Sequence, residues 1–148
     1  MIEKLVPKTI IRAIHNHTIP LYGSGKNIRD WIYVQDHCSA IDVVLQKGVS
    51  GEIYNISTGN EIQNIELVKK ILVQLGKSEN LITLIEDRPG HDTRYSLNST
   101  SIQTNLGWKP KYNFEKTLKT TIQWYIDNPQ WWAHLTTSAL RHHTSWEL

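Results

Sequence analysis

The chain carries one cysteine, Cys38, among 148 residues. A single thiol excludes an internal disulfide and a cysteine-built zinc site, and it suits a reducing, cytoplasmic compartment. An excess of either charge is also missing. Sixteen Lys and Arg face 14 Asp and Glu, a formal net charge of +2. That balance gives no reason to expect a nucleic acid or a membrane surface as partner. No apolar run approaches the roughly 20 residues of a membrane-spanning helix. Met1-Ile2-Glu3-Lys4 opens no basic stretch followed by an apolar one, so no secretory signal is expected. There is no internal repeat and no Gly/Ser-rich linker, and the length predicts one domain in the usual range of about 100–200 residues. Such a chain is long enough to bury a core.

What is present is a pattern that switches between helical and strand periods. Ile2, Leu5, Val6, Ile10 and Ile14 recur at helix spacing, with Pro7 tolerable in the first turn. Residues 19–22 and 28–34 read as short strands, and Gly23-Ser24-Gly25-Lys26-Asn27 between them predicts a hairpin. Asp36 is placed to cap a helix over 37–47 whose inner face is Ile41, Val44 and Leu45, with Gly48 ending it. Residues 52–56 read as a strand. Asn64 is placed to cap the clearest helix, striped by Ile65, Val68, Ile71, Leu72 and Leu75 up to Gly76. A strand over 82–86, a polar loop over 87–92, a short helix over 99–106 and a longer one from Phe114 to Ile126 complete a mixed α/β chain. Five of the six Trp lie after residue 107, and the last twenty residues show little periodicity.

Several motifs fail on inspection. Gly23-Ser24-Gly25-Lys26 lacks the earlier glycine of a phosphate loop, since position 20 is Pro, and has Asn27 where Ser or Thr belongs. The dinucleotide fingerprint fails at Ile28, where its third glycine belongs. His15 and His17 point to different sides of any element, and His142-His143 has no partner at ligand spacing, so these four read as surface residues. Cys38 reads as a small core residue rather than a nucleophile. Trp108-Lys109-Pro110-Lys111-Tyr112 has the interleaving of a base-stacking surface without the charge to support one, and reads as packing.

A set of polar residues at strand ends is more telling. Arg29 stands inside an apolar strand, Asn55 near the end of another, and Arg88 and His91 share a Pro-Gly loop. A strand arginine needs a counter-charge or a ligand; read plainly, Arg29 with Asp30 is a solvated turn pair and Arg88 pairs with Asp87 or Asp92.

Longer motifs favour the ligand. Glu3-Lys4-Leu5-Val6-Pro7, Ile19-Pro20-Leu21-Tyr22-Gly23-x-Gly25, Ile28-Arg29-Asp30-Trp31-Ile32-Tyr33-Val34-x-Asp36-His37, Gly51-Glu52-x-Tyr54-Asn55-Ile56, Asp87-Arg88-Pro89-Gly90-His91-Asp92-x-Arg94-Tyr95, Leu106-Gly107-Trp108-Lys109-Pro110 and Thr121-Ile122-x-Trp124-Tyr125 follow in order. Together they resemble the C-terminal half of dTDP-glucose 4,6-dehydratases, from residue 3 to about residue 132. The resemblance implies an α/β fold, the C-terminal part of an extended Rossmann-type dehydratase: a small mixed α/β substrate-binding domain plus one strand and one helix of the Rossmann sheet. Residues 1–132 would form it and 133–148 a tail.

The same resemblance implies roles. Lys4 and Leu5 would open the domain on the nucleotide side. Pro20, Leu21 and Tyr22 would line the thymine site. Arg29, helped by Asn55 and Arg88, would grip the diphosphate, and His91 with the loop Asp87, Arg88, Pro89 and Gly90 would close over the sugar. In that family NAD oxidises C4, water leaves across C5–C6, and the hydride returns to C6. The glycine-rich NAD turn, the Tyr-x-x-x-Lys pair and the Asp-Glu acid/base pair lie upstream in the family. They have no counterpart here, since Tyr22 and Lys26 share a turn rather than a helix. NAD is therefore expected for the full-length family and not for this chain alone, with dTDP-glucose or a related nucleotide sugar and a missing NAD-binding half, in cis or trans, as partners. The alternatives are a non-catalytic nucleotide-sugar-binding or interaction module, and a fragment of a UDP- or GDP-sugar dehydratase or epimerase.

Overall fold

The structure, a computed structural model, describes residues 4–136. Met1, Ile2, Glu3, His142, His143 and Trp146 lie outside them. Helix α1 (Leu5–Ile14) keeps Pro7 in its first turn, where the missing N–H needs no intrahelical partner. Its inner face buries Ile10, Ile11 and Ala13, and also Arg12, whose Nε donates to the carbonyl of Thr18. Burial holds the Arg12 guanidinium below its ordinary pKa. His15 and His17, just beyond the helix, are exposed as expected.

Strands β1 (Ile19–Tyr22) and β2 (Ile28–Asp30) do not form the expected hairpin. β1 pairs in parallel with a later strand, Ile82–Ile85. β2 lies in a second sheet, antiparallel to β3 (Glu61–Gln63) and parallel to Arg94–Tyr95. In chain order these partners are β4 (Ile82–Ile85) and β5 (Arg94–Tyr95), giving a two-stranded sheet β1-β4 and a three-stranded sheet β3-β2-β5. The reason lies in where the turn spends its backbone groups. The N–H of Gly23 donates to Ile85 O, and the carbonyls of Gly25 and Asn27 accept from the N–H groups of Ile65 and Asn64. Those two amides open α3 (Asn64–Gln74), so the turn serves a helix and β4 and swings β2 into the other sheet. Gly25 permits this at φ +70, since a Cβ there would lie 2.4 Å from Leu21 Cδ2 and 3.0 Å from Ile65 Cβ. Gln63 takes the N-cap position and Asn64 lies inside the first turn, so Asn64 is not the side-chain cap its position suggests.

The helix expected over 37–47 begins earlier. α2 spans Val34–Lys47, and Asp36 lies buried in its first turn rather than capping it. Its carboxylate accepts the backbone N–H groups of Lys111 (2.8 Å) and Tyr112 (3.3 Å), fastening the 110–112 loop to α2. The expected inner face is also displaced. Ala40 is buried, with Val43 and Val44 beside it against Ile102 and Leu106 of α4 (Thr100–Leu106). Ile41 is 43% exposed and Leu45 80% exposed. Cys38 is exposed, so the core reading of that residue fails. Residues 52–56 form no strand: a strand exists only with a ladder partner, none is present among the described residues, and Ile53 is 84% exposed.

α3 carries the main core. Leu67 and Ile71 pack with Ile10 and Ile11 and with Leu118, Ile122 and Tyr125 of α5 (Phe114–Asp127). Val68 and Leu72 pack with Ala13, Ile19 and Leu21. α5 opens on a side-chain cap, Asn113 Oδ1 accepting the N–H of Lys116. The short α6 (Pro129–Trp132) follows, and the buried Trp132 Nε1 donates to Tyr125 O at 2.8 Å. Among the described residues no helix is long and apolar enough to cross a membrane.

Candidate nucleotide-sugar site

Strand periodicity sets the first element of the site. Successive side chains in β2 face opposite ways, so Arg29 and Asp30 diverge. Asp30 accepts from Thr58 Oγ1 (2.8 Å) and Gly59 N–H (2.9 Å) and is no solvated turn residue. Arg29 faces a cavity of about 630 Å³ walled by the start of α1, by β1 and by the loop after β4. Its guanidinium donates to the carbonyls of Ile28 (2.7 Å) and Asp92 (3.0 Å). No carboxylate among the described residues pairs with it, so its charge remains available to an anion.

Lys4, Leu5, Pro20, Leu21, Tyr22, Arg29, Arg88 and His91 all line this cavity. Leu21 is also a core residue, 2% exposed, which fixes the β1 wall. Asp87, Pro89 and Gly90 belong to the same loop without lining it. Asn55 is not among the lining residues and is exposed. Asn64, read from the sequence only as a helix cap, lines the cavity. Its Oδ1 is buried and accepts no hydrogen bond from the protein. An asparagine at a helix start reads as a cap from sequence; here Gln63 holds the N-cap position and Asn64 is already the first residue of α3. Lys8 and Trp31 also line the cavity and were not singled out by the sequence.

The electrostatics are one-sided. Lys4, Lys8, Arg29 and Arg88 contribute cationic side chains to the lining and no carboxylate joins them among the described residues, while Leu5, Pro20, Leu21, Tyr22 and Trp31 give apolar and aromatic surface. The Arg88 backbone N–H donates to Asp87 Oδ1 (2.9 Å), but its guanidinium forms no ion pair with Asp87 or Asp92. His91 Nδ1 lies 2.6 Å from Asp87 Oδ1, and its ring meets Tyr22 edge-on at 6.3 Å between centroids. The hydrogen bond from His91 holds the Asp87 carboxyl below its ordinary range. The arrangement suits an anion with several oxygens on one side and a flat, partly apolar group on the other.

No cluster of three or more His, Cys, Asp or Glu is poised for a metal among the described residues. The glycines after β1 lead into β2 rather than into a helix, so the strand, glycine turn and helix N-terminus that hold a pyrophosphate of NAD are not assembled there.

Comparison with known proteins gives the family. A family model described as GDP-mannose 4,6 dehydratase matches residues 1–121. The low-salt glycan biosynthesis protein Agl12 of Haloferax volcanii is 47% identical over 86% of this chain and 41% of its own length. A dTDP-glucose 4,6-dehydratase of Neisseria meningitidis is 43% identical over 94% of this chain and 42% of its own length. The crystal structure of DesIV, a dTDP-glucose 4,6-dehydratase from Streptomyces venezuelae with NAD and TYD bound, superposes with a TM-score of 0.88. It is 41% identical, over 90% of this chain and 42% of that one. The chain thus spans about two fifths of the length of these relatives. With its α/β architecture and a family match across residues 1–121, the chain belongs to the GDP-mannose 4,6 dehydratase family.

Proposed function

We propose that this chain is the nucleotide-sugar-binding part of a dTDP-glucose 4,6-dehydratase. The observation that carries the reading is the cavity in which Arg29 and Arg88, with no carboxylate beside them among the described lining residues, face an aromatic and apolar wall. Arg29 and Arg88 grip the diphosphate, since a guanidinium fork matches phosphate oxygens and stays charged at any working pH. Lys4, which also lines the cavity, adds charge beside them. Tyr22 with Pro20 and Leu21 receives the base, and Asn64, which lines the same cavity, can offer its Nδ2 amide as a further donor to the diphosphate. His91 meets the sugar from the loop.

The residues here do not fit NAD, so no chemical step is assigned to them; they bind and orient. NAD and the acid/base groups belong to the part of the relatives' length that this chain does not span. That part, in cis or in trans, covers the apolar face formed by Val34, Ile41, Leu45, Val49 and Ile53, each exposed here. Titration of the full chain with dTDP, UDP and GDP tests the reading. The expected outcome is weak binding that favours dTDP, and no turnover of dTDP-glucose with NAD supplied. Equal or absent affinity for all three would remove the assignment.

A further inference from the structure

Asp87 stands beside the cavity and yet has its charge engaged away from it. Its Oδ1 accepts two hydrogen bonds, from the Arg88 backbone N–H at 2.9 Å and from His91 Nδ1 at 2.6 Å. The His91 side chain is only 6% exposed, and its ring is braced edge-on by Tyr22. With Nδ1 engaged, Nε2 is the ring atom left for a ligand. On its other side Asp87 rests against Gly23. A Cβ at Gly23 would lie 2.6 Å from Asp87 Oδ2 and 2.9 Å from Cγ. The N–H of Gly23 donates to Ile85 O at 2.9 Å, so the end of the β1–β4 pair fixes this approach.

A carboxylate that faced a diphosphate would repel it. Turned instead onto an imidazole, it selects which ring nitrogen carries the proton, because the partner of one nitrogen decides the state of the other. We propose that Asp87, seated in the space left by Gly23, is a positioning residue for His91. It holds the ring with its proton on Nδ1 and presents Nε2 as an acceptor for a hydroxyl of a nucleotide sugar. This rests on the reading of the cavity as a nucleotide-sugar site. It also gives the absence of a side chain at Gly23 a function at the site, although Gly23 does not line the cavity.

The test combines nitrogen-resolved NMR of His91 in the nucleotide-free full chain with calorimetry using dTDP-glucose as probe. Above the imidazole titration, wild type is expected to hold the Nδ1–H tautomer. Asp87→Ala, a change at an exposed loop residue, is expected to shift His91 toward Nε2–H and weaken binding about three- to tenfold. Asp87→Asn keeps an acceptor oxygen and is expected to retain the tautomer and most of the affinity. Gly23→Ala, which pushes the carboxylate away, is expected to behave like Asp87→Ala. An unchanged His91 tautomer in Asp87→Ala overturns the proposal, as does a changed tautomer with unchanged affinity. If wild type does not bind dTDP-glucose, the site reading fails and with it the presentation of Nε2, while the nucleotide-free spectra still decide whether Asp87 sets the tautomer.

Discussion

Arg29 and Asp30 are adjacent and opposite in charge, yet they do not neutralise each other, because a strand sends successive side chains to opposite faces. That geometry turns an apparent turn pair into one anion-facing cation and one loop anchor on Thr58 and Gly59. Asn64 shows the complementary case. Its buried Oδ1 has no partner in the protein, a cost of roughly 1–3 kcal/mol. Asn64→Ala is therefore expected to leave thermal stability unchanged or raise it by up to about 1 kcal/mol, while weakening dTDP binding about three- to tenfold. Melting with and without nucleotide measures both. A variant that loses stability and keeps affinity would make Asn64 structural.

At the level of elements, local pattern served the sequence reading where an element is long and its partners are close. α1, α3 and α5 appear where helical spacing placed them, and β4 where an apolar run did. β3 and β5 were not read at all: three and two residues carry no period, and they are strands only because β2 pairs with each. The hairpin failed for a similar reason, since a glycine turn looks the same whether its carbonyls close on a strand or on the start of α3. α2 has apolar residues on two sides, and spacing alone chose a face of which only Val44 packs toward α4.

Two carboxylates tie these short elements down. Glu61 on β3 takes both 2.7 Å bonds of the Arg94 guanidinium on β5, and Asp87 takes His91. Both carboxyls are held below their ordinary values of 4.5 and 3.8, each chiefly by its partner's hydrogen bond. A lowered folded-state pKa stabilises the fold above the ordinary value, and the contribution is lost as pH falls through the lowered one. The amide protection factors of residues 87–95, exchange rates divided into their intrinsic rates at each pH, are accordingly expected to be constant from pH 7 to about 5 and to fall below about 4. The doubly substituted Glu61→Gln, Asp87→Asn chain should lose that step. If the step persists, other carboxylates are responsible.

For the whole molecule, the decisive feature is what the fold leaves uncovered. Val34, Ile41, Leu45, Val49 and Ile53 lie exposed on and after α2. Covering such side chains is worth about 1.5–3 kcal/mol each, against a net stability of only about 5–15 kcal/mol for a domain. The chain alone is therefore expected to melt low or self-associate. A separately expressed N-terminal part of a related dehydratase should raise its melting temperature and bring it into a defined complex by sedimentation. Leu45→Lys, at an 80% exposed position, should leave the isolated chain intact and weaken that complex. A sharp, monomeric, high transition unaffected by the partner would mean that the chain is self-sufficient.

The site was more legible than the fold around it. Lys4, Leu5, Pro20, Leu21, Tyr22, Arg29, Arg88 and His91, which the motifs single out, line one cavity even though the strand pairing around them differs from the expected hairpin. Asn55 and Asn64 could be told apart only in space, since both are asparagines beside an apolar stretch and one of them happens to be turned toward Arg29's cavity. The central claim is that this cavity grips a nucleoside diphosphate through Arg29. Calorimetry of dTDP binding to wild type and Arg29→Ala tests it most directly. The account predicts a loss of about ten- to a hundredfold, equivalent to ~1.5–3 kcal/mol, with unchanged melting of the free chain. Equal affinity in the two proteins would contradict it.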